Sequence, residues 1–425
     1  MTLNRRSFLS MTAIASTLAA AACGSNADNS DSQGGEARPS DGGDAVAADT
    51  TADLVIWADE KKAPSIQEFA TKWGQDQGGL TVAVQVVAEN LQENFVTADS
   101  TGNGPDIVIG AHDWIGKFVQ NNAITPVQLD DAAKSNYSDM ALKAVTYNGQ
   151  TYGAPYSVEA LVLYVNKAVT SQVAPTTIEE VVEAGKAAGT EEILALPVGQ
   201  KGDGYHMQPL YSSAGGYLFG TNADGSYNLA DVGVGTESSV TAGTKIAELA
   251  SQGALKTSIT TDNAVNLFTD GKSPFLVSGP WSLATIKTAG IDYAIAKIPG
   301  FAGMGDAVPF AGVNVFYVAA NGKNRTIAES FVADVAKDST VAEAMFAKNE
   351  LPPAQKDLAE KLRSSNPDMV TFFDIANNAT PMPSIPKMAE IWQPLGQAEA
   401  NIINGKDASS EMQAAGKSIK DALGI

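Results

Sequence analysis

The sequence predicts an α/β protein built of two lobes that are joined by a hinge. Strand-like and helix-like segments alternate over residues 54–109, which is typical of a doubly wound parallel sheet. The same alternation starts again after Lys167. Two long extended stretches, residues 152–165 and 309–318, are each long enough to cross from one lobe to the other. A chain that crosses between lobes more than once forms a hinge between them rather than two domains joined by one linker.

Composition narrows the function classes. The chain has 425 residues and a formal net charge of -20, and no Lys- and Arg-rich run follows its N-terminus, so we expect no nucleic-acid partner. Its two histidines, His112 and His206, lie far apart in sequence, and Cys23 is the single cysteine. The spacing of these residues matches no known type of metal site. A single cysteine cannot form a disulfide within the chain. We expect neither a metal nor a cofactor, and we expect a monomer.

Residues 1–22 are predicted to be a lipoprotein signal peptide. Arg5 and Arg6 precede Ser-Phe-Leu and an apolar stretch that is too short to span a bilayer as an anchor. The paired arginines resemble a twin-arginine signal, although a Sec signal can carry the same pair. The segment Ala-Ala-Ala-Cys-Gly around Cys23 resembles a bacterial lipobox, with Ala20 at the place where Leu is commoner. We therefore expect lipidation of Cys23.

Residues 23–50 predict a flexible tether, because they are rich in Gly, Ser, Asp and Ala and lack the large apolar side chains that bury a core. The folded part then begins. Apolar, β-branched runs predict strands at residues 54–57, 80–87 and 106–109, with helices at residues 65–75 and 91–100 between them. The sequence Tyr-Asn-Gly-Gln at residues 147–150 predicts a hairpin turn.

The second half of the chain carries a similar series. Strands are predicted at residues 193–197 and 274–277, a loop at residues 231–235, and helices at residues 177–188, 240–252, 325–337, 339–348 and 357–363. A proline-rich segment, residues 381–386, interrupts a largely helical tail that resumes at residue 388 and ends near residue 423.

The segment Gly-Ala-His-Asp-Trp, residues 110–114, lies where the third predicted strand ends and a helix begins. In open α/β sheets ligands bind at this edge. A carboxylate beside an indole suits a sugar, because the acid accepts hydrogen bonds from hydroxyls and the ring covers an apolar C–H face. Taken alone, Asp113 is equally typical of a helix cap and Trp114 of a half-buried core ring.

The remaining aromatic residues divide into core and cleft candidates. Trp57 in a buried strand and Trp73 on a helix are best explained as core. Trp281 follows Gly-Pro at the end of a strand, where a flat ring can face a cleft or cap the core. Trp392 lies in a predicted helix, where a core position is usual. Tyr205 lies in a polar, Gly-rich segment that we interpret as an exposed loop.

The order and spacing of several short motifs extend over the whole folded region, from residue 54 to the C-terminus. They are Leu-Val-Ile-Trp (54–57), Gly-Pro-Asp-Ile (104–107), Ala-His-Asp (111–113), Tyr-Asn-Gly (147–149), Val-Glu-Ala-Leu (158–161), Gly-Gly-Tyr (215–217), Asp-Val-Gly-Val (231–234), Gly-Pro-Trp (279–281) and Met-Pro-Ser-Ile-Pro (382–386) with Trp392. In these motifs the chain resembles the extracellular solute-binding proteins of carbohydrate ABC importers, including those for maltose and maltodextrins.

The resemblance implies a periplasmic-binding-protein-like fold with a hinged ligand cleft. Lobe 1 would comprise residues 51–158 and 314–364, and lobe 2 residues 159–308 and 365–425. It also implies that the protein captures α-gluco-oligosaccharides and delivers them to the permease subunits of an ABC transporter. Together with the lipobox, it places the protein on the extracellular face of the cell membrane, held by its N-terminal lipid.

The family's ligand-binding residues carry over to matching positions of this chain. They are Asp59, Lys62, Asp113, Trp114, Glu159, Asp203, Tyr205, Trp281, Met382, Trp392 and Gln393. The chain also departs from the family pattern. Gly110 stands where the family has a cleft tryptophan, and Trp114 replaces an arginine and partly restores the lost ring. Gln393 and Gly396 replace a tyrosine and an arginine. These departures leave the sugar class standing and the exact oligosaccharide open.

Other functions remain as alternatives. The ligand can be another oligosaccharide, such as trehalose or a different α-glucoside. A glycoside hydrolase would pair two carboxyls around one glycosidic bond, and Asp113 with Glu159 would be the candidates. A surface adhesin would bind long polymers rather than short sugars. The first strand is followed by no Gly-x-Gly-x-x-Gly segment, which argues against nucleotide binding. We expect a binding protein and not an enzyme.

Overall fold

The larger sheet of the protein contains the predicted series of parallel strands. The computed structural model describes residues 47–49, 51–222 and 226–425, so the predicted signal peptide, Cys23 and most of the predicted tether lie outside the described residues. Strand β1 (Leu54–Ala58) pairs in parallel with β2 (Val82–Val86) and β3 (Ile107–Ala111). Every residue of β1 is buried, as expected for a strand between two helix layers.

The other described strands are β4 (Thr146–Tyr147), β5 (Gln150–Thr151), β6 (Ala154–Ala160), β7 (Val162–Asn166), β8 (Phe219–Thr221), β9 (Tyr227–Val232), β10 (Phe275–Ser278), β11 (Tyr293–Ala296), β12 (Phe310–Val318) and β13 (Thr380–Pro381). The described helices are α1 (Ala63–Asp76), α2 (Leu91–Ser100), α3 (Ile115–Gln120), α4 (Asp131–Asn136), α5 (Asp139–Ala144), α6 (Ile178–Ala188), α7 (Gly204–Ser213), α8 (Glu237–Ser251), α9 (Ala264–Thr269), α10 (Leu283–Thr288), α11 (Arg325–Lys337), α12 (Thr340–Asn349), α13 (Lys356–Leu362), α14 (Pro367–Asn377), α15 (Ala389–Ile403) and α16 (Ala408–Leu423). Short 3-10 turns cover His112–Trp114 and Pro280–Ser282.

The larger sheet is mixed. Within the described residues it has six strands, in the order β13-β12-β3-β1-β2, and β6 also pairs with β12. β12 runs antiparallel to both β3 and β6. Helix α1 covers the sheet with Ile66, Ala70 and Trp73, which lie at helical spacing on its buried face. Trp57 and Trp73 are buried, which confirms their assignment to the core.

A second, antiparallel sheet has β7 between β10 and β11. Helices α6, α7, α8, α15 and α16 surround a second cluster of buried apolar side chains, separate from the cluster at the larger sheet. β6 belongs to the first sheet and β7 to the second, and only Leu161 separates them. The predicted extended stretch therefore does pass from one sheet to the other. The α/β class with two packed regions is confirmed.

The apolar clusters do not follow the predicted lobe boundaries throughout the chain. Met369 and Phe372 on α14 pack in the first cluster, although residues 365–425 were expected in lobe 2. The lobe boundaries stay a prediction. The hairpin at residues 147–150 is confirmed, because β4 and β5 pair antiparallel on either side of Asn148 and Gly149, which both have positive φ.

Two local predictions are wrong and a third is wrong in part. Residues 193–197 are not a regular strand, since among the described residues this segment forms a single bridge, from Ala195 to Leu276. The predicted loop at residues 231–235 begins inside β9, which ends at Val232. Tyr205 is not in an exposed loop, because it lies in the first turn of α7 and is half-buried. Among the helices of the described chain, none has the length and hydropathy needed to cross a membrane.

Candidate functional site

One cavity, of about 680 Å³, brings together most of the predicted ligand-binding residues. Its walls come from the end of β3, from β6 and β12, from the first turn of α7, from the turn after β10 and from α15. The predicted residues that line it are Asp113, Trp114, Glu159, Asp203, Tyr205, Trp281, Met382, Trp392 and Gln393. Asp59 and Lys62 are outside the set of described residues that line it.

Asp113 is held at the predicted strand edge by the 3-10 turn that follows β3. Its Oδ1 atom is buried and accepts no hydrogen bond from any residue that the structure describes. Burial raises the pKa of the Asp113 carboxyl to about 6. The Asp113 side chain also lines the cavity, so its carboxylate is a candidate acceptor for a ligand donor.

Glu159 provides a second acid from strand β6. Gly312 on the paired strand β12 gives it room, since a Cβ at position 312 would lie 2.9 Å from the Glu159 Cγ. Burial raises the pKa of the Glu159 carboxyl, and the positive charge of Lys62 opposes that rise. Lys62 forms an ion pair with Asp59. In this structure Lys62 therefore acts on the cavity through its charge on Glu159, and direct contact of Asp59 or Lys62 with a ligand stays a prediction.

Asp203 is the third acid and is fixed in orientation. It caps α7, with its Oδ1 accepting a hydrogen bond from the backbone N–H of His206 at 3.0 Å. Its Oδ2 lies 2.7 Å from Nδ1 of the same histidine. The preceding residue, Gly202, has a φ of +77° and lets the chain turn sharply into the helix. Asp203 is thus held by α7 while its carboxylate lines the cavity.

Aromatic rings form much of the remaining wall. Trp114 contacts Phe118 edge to face, with ring centroids 5.9 Å apart. Trp392 packs in the same manner on Phe310 at 5.7 Å. Trp281 is 45% exposed, a high value for so large an apolar ring. Trp114 and Trp392 therefore each pack one edge against another aromatic ring, and all three tryptophans line the cavity.

Sequence reasoning missed several lining residues. Lys201 is exposed and forms no ion pair with any described residue. Asn314 donates its Nδ2 hydrogen to Ser157 Oγ at 3.0 Å. The signal for Asn314 was a polar side chain inside the apolar run of β12, and for Lys201 a cation in the Gly-rich segment before Asp203. The other missed lining residues are Ala111, Gly202, Gly204, Gly312 and Val313.

His112 joins three parts of the cavity wall. The backbone N–H of Val313 donates to its Nδ1 at 3.1 Å, so the proton of the neutral ring sits on Nε2, which donates to the carbonyl of Met382 at 3.2 Å. Burial lowers the pKa of His112 to about 4, which keeps the ring neutral near pH 7. His112 is thus a structural link between lining residues and is not a candidate ligand contact.

The arrangement suits an uncharged ligand with many hydroxyl groups. Carboxylates at Asp113, Glu159 and Asp203 accept hydrogen bonds from hydroxyls, and aromatic faces cover apolar C–H surface. Among the described residues there is no group of His, Cys, Asp and Glu side chains that would hold a metal ion. The geometry therefore provides recognition by hydrogen bonding and stacking.

Comparison with known proteins places the chain in a family. Residues 66–371 match the model of the bacterial extracellular solute-binding proteins. The galactooligosaccharide-binding protein of Bacillus subtilis is 28% identical, over 87% of this chain and 88% of its own length. A maltooligosaccharide ABC transporter solute-binding lipoprotein of Streptococcus pneumoniae is 24% identical over 98% of both chains. A crystal structure of a cyclo/maltodextrin-binding protein complexed with maltotetraose has a TM-score of 0.77 and 27% identity, covering 88% of this chain and 98% of its own. This chain belongs to the bacterial extracellular solute-binding proteins.

Proposed function

We propose that this protein captures maltose- and maltodextrin-type α-gluco-oligosaccharides in the cavity and delivers them to the permease of an ABC importer. The observation that carries the proposal is the cavity itself, which is lined by three carboxylates and by the rings of Trp114, Trp281 and Trp392. The similarity to a structure solved with maltotetraose supports this choice of sugar.

The expected affinity follows from the balance of contacts. Hydrogen bonds to charged groups contribute roughly 1.5–3 kcal/mol each before desolvation is subtracted. Stacked rings bury further apolar area, and immobilising the ligand costs part of the gain. Several such contacts suit micromolar binding, or about -8 kcal/mol. Micromolar affinity also lets the permease take the sugar over, because very slow release would block transport.

We further propose that export is followed by lipidation of Cys23, so that the protein acts as a monomer on the outer face of the cell membrane. The lipobox-like segment around Cys23 and the similarity to streptococcal solute-binding lipoproteins support the anchor. Labelling of the expressed full chain with a radioactive fatty acid should mark the wild type and leave Cys23→Ala unmarked. Equal labelling of both would overturn the anchor.

Isothermal titration of the purified protein tests the proposed function. Maltose, maltotriose and maltotetraose should bind with one-to-one stoichiometry, and the β-linked control cellobiose should not. Trp281→Ala and Asp113→Ala should each abolish or strongly weaken that binding, because each removes one type of cavity contact. Trehalose and glucose belong in the same series, since they separate a linkage preference from a length preference. Lack of heat with every α-glucoside would overturn the proposal.

A second candidate ligand is a galacto-oligosaccharide, favoured by the Bacillus subtilis relative that binds this class and is 28% identical. Both sugars present hydroxyls and C–H faces, so the same cavity chemistry serves either. Galactobiose and galactotriose in the same titration decide between them. Incubation of the protein with maltotriose should release no glucose or maltose, since we propose that Asp113 and Glu159 bind rather than hydrolyse; released sugar would revive the glycoside hydrolase.

A further inference from the structure

Two of the cavity tryptophans lie against glycines. If position 110 carried a Cβ, that atom would lie 2.2 Å from Cζ3 and 2.3 Å from Cε3 of Trp114. If position 279 carried one, it would lie 2.0 Å from Cζ3 and 2.3 Å from Cη2 of Trp281. In both places the six-membered part of the indole occupies the space that a side chain at the glycine position would fill.

The backbone does not explain the glycine at position 110. Gly110 lies inside β3, is paired with Val315 of β12, and is not among the described residues with positive φ. The three described atoms nearest to its missing Cβ all belong to the Trp114 ring. Gly279 is likewise extended, with a φ of -101°. What these positions require is the absence of a side chain, because a ring lies in its place.

Contacts on two sides fix the Trp114 ring. The Gly110 backbone contacts its six-membered part, and Phe118 meets it edge to face at an interplanar angle of 79°. Trp114 is half-buried and the rest of its ring lines the cavity. A ring held in this way loses little conformational freedom when a ligand stacks on it, so the contact is preorganised.

We infer that Gly110 is a specificity-determining residue of the cavity, which acts by seating the Trp114 ring against the end of β3. The inference rests on the proposed function and adds a residue that never touches the sugar. A methyl group at position 110 would push the ring outward, into the volume that the ligand uses. The Trp114 platform would then be displaced while the carboxylates stay in place.

A double-mutant cycle with maltotriose tests the inference, using Gly110→Ala, Trp114→Ala and the double variant in the full chain. Gly110→Ala should weaken maltotriose binding about tenfold or more, close to the effect of Trp114→Ala. The double variant should bind no more weakly than Trp114→Ala alone, because the methyl group then has no ring to displace. Both single variants should also change the ranking of the maltodextrins and galactotriose in the same way. A purely structural role of Gly110 would not reproduce that ranking.

Different outcomes separate the inference from the proposed function. Wild-type binding to none of the sugars overturns the proposed function, and this inference with it. Wild-type affinity retained in Gly110→Ala overturns the inference alone. If the losses of binding free energy in the two single variants add up in the double variant, the inference is also overturned, since Gly110 would then act independently of Trp114. If Gly110→Ala does not fold, the double variant should fold and bind as Trp114→Ala does; failure of both to fold means that the methyl group clashes elsewhere, which also contradicts the inference.

Discussion

Asp113 shows how a residue of the proposed binding site costs free energy in the folded protein. Its carboxyl is buried, one oxygen has no partner among the described residues, and its pKa is raised to about 6. An ionised carboxylate in such surroundings destabilises the folded state, because the unfolded chain would hydrate it. In the proposed function, a ligand hydroxyl that donates to this carboxylate would remove part of the cost. Ligand binding and local destabilisation would then have one physical source.

This cost predicts a pH-dependent gain in stability for Asp113→Asn. The folded pKa of about 6 lies above the unfolded value near 3.8, so the ionisation penalty is complete above about pH 6 and vanishes below about pH 4. The variant should therefore be more stable than the wild type by about 1–3 kcal/mol at pH 7 and by little at pH 4. Urea unfolding of the sugar-free protein at a series of pH values measures this difference.

A matched control is Asp262→Asn, at an exposed position remote in sequence from the cavity residues. It should change stability by less than about 0.5 kcal/mol at every pH. The Asp113 variant should also lose sugar affinity at pH 7 in the same preparation. A stability difference between Asp113→Asn and wild type that does not vary between pH 4 and pH 7 would show that the carboxyl carries no ionisation penalty.

Single residues differ in how far the sequence predicts their position. Asp113 and Trp281 follow strands directly, and strand ends in an α/β sheet are ligand edges by topology alone. Trp392 was a core residue by local pattern and reached the site prediction through the family resemblance. Lys201 and Asn314 were missed, because a long-range pairing decides whether a polar side chain faces a cavity. No local pattern records the seating of Trp114 on Gly110.

Among the secondary-structure elements, α15 shows how one helix sets the shape of the cavity. Its residues Trp392 and Gln393 line the cavity, and its backbone lies close to the turn before α7. A Cβ at Gly202 would lie 1.7 Å from the carbonyl oxygen of Gly396 on α15. The departure at Gly396 therefore has a structural consequence, since the turn that carries Asp203 approaches the helix backbone closely there.

This contact predicts that Gly202→Ala costs more stability than Gly199→Ala. Both glycines have positive φ, at +77° and +71°, so alanine strains either backbone by about 1 kcal/mol. Only Gly202 meets α15, because a Cβ at Gly199 would have its nearest described neighbour 4.0 Å away. Gly202→Ala should lose roughly 2–4 kcal/mol in urea unfolding, and it should weaken sugar binding as α15 shifts.

The difference between the two variants isolates the packing of α15, because the backbone strain is common to both. Gly199→Ala should keep sugar affinity, since its methyl group reaches no part of the helix. Equal losses of stability for Gly199→Ala and Gly202→Ala would mean that the turn is free to move away from α15. The close approach would then contribute nothing to the shape of the cavity.

At the level of elements, periodicity and turn residues identified most helices and strands. The errors have physical causes. Most of the apolar run at residues 193–197 is buried, and an apolar run indicates burial rather than strand pairing; Pro197 in it also lacks the N–H that a regular strand would use. Gly204 at the start of α7 favours a loop by local preference, whereas the Asp203 cap stabilises the helix. In both segments, tertiary contacts outweigh the local conformational preference.

In the molecule as a whole, the cavity depends on elements that are distant in sequence. β3 supplies Trp114 and Asp113 at its end, β6 supplies Glu159, and α15 supplies Trp392. The first two belong to the larger sheet, while α15 packs in the second apolar cluster. Strand order and register bring these parts together. A single sequence predicts the alternation of strands and helices, but it does not predict strand order or register. The arrangement of the cavity was therefore predictable only by resemblance.

Because the proposed ligand contacts come from both packed regions, sugar should favour a closed arrangement of the cleft. A ligand shifts a conformational equilibrium by as much as its affinities for the two states differ, and contacts divided between two walls are complete only when the walls approach. We predict that saturating maltotriose lowers the radius of gyration of the wild type in small-angle X-ray scattering. Trp281→Ala at the same sugar concentration is the control, since it keeps the fold and loses one wall of the site, and its scattering should stay that of the sugar-free protein. Identical scattering of the wild type with and without bound sugar would show that the walls are fixed and that the hinge prediction is wrong.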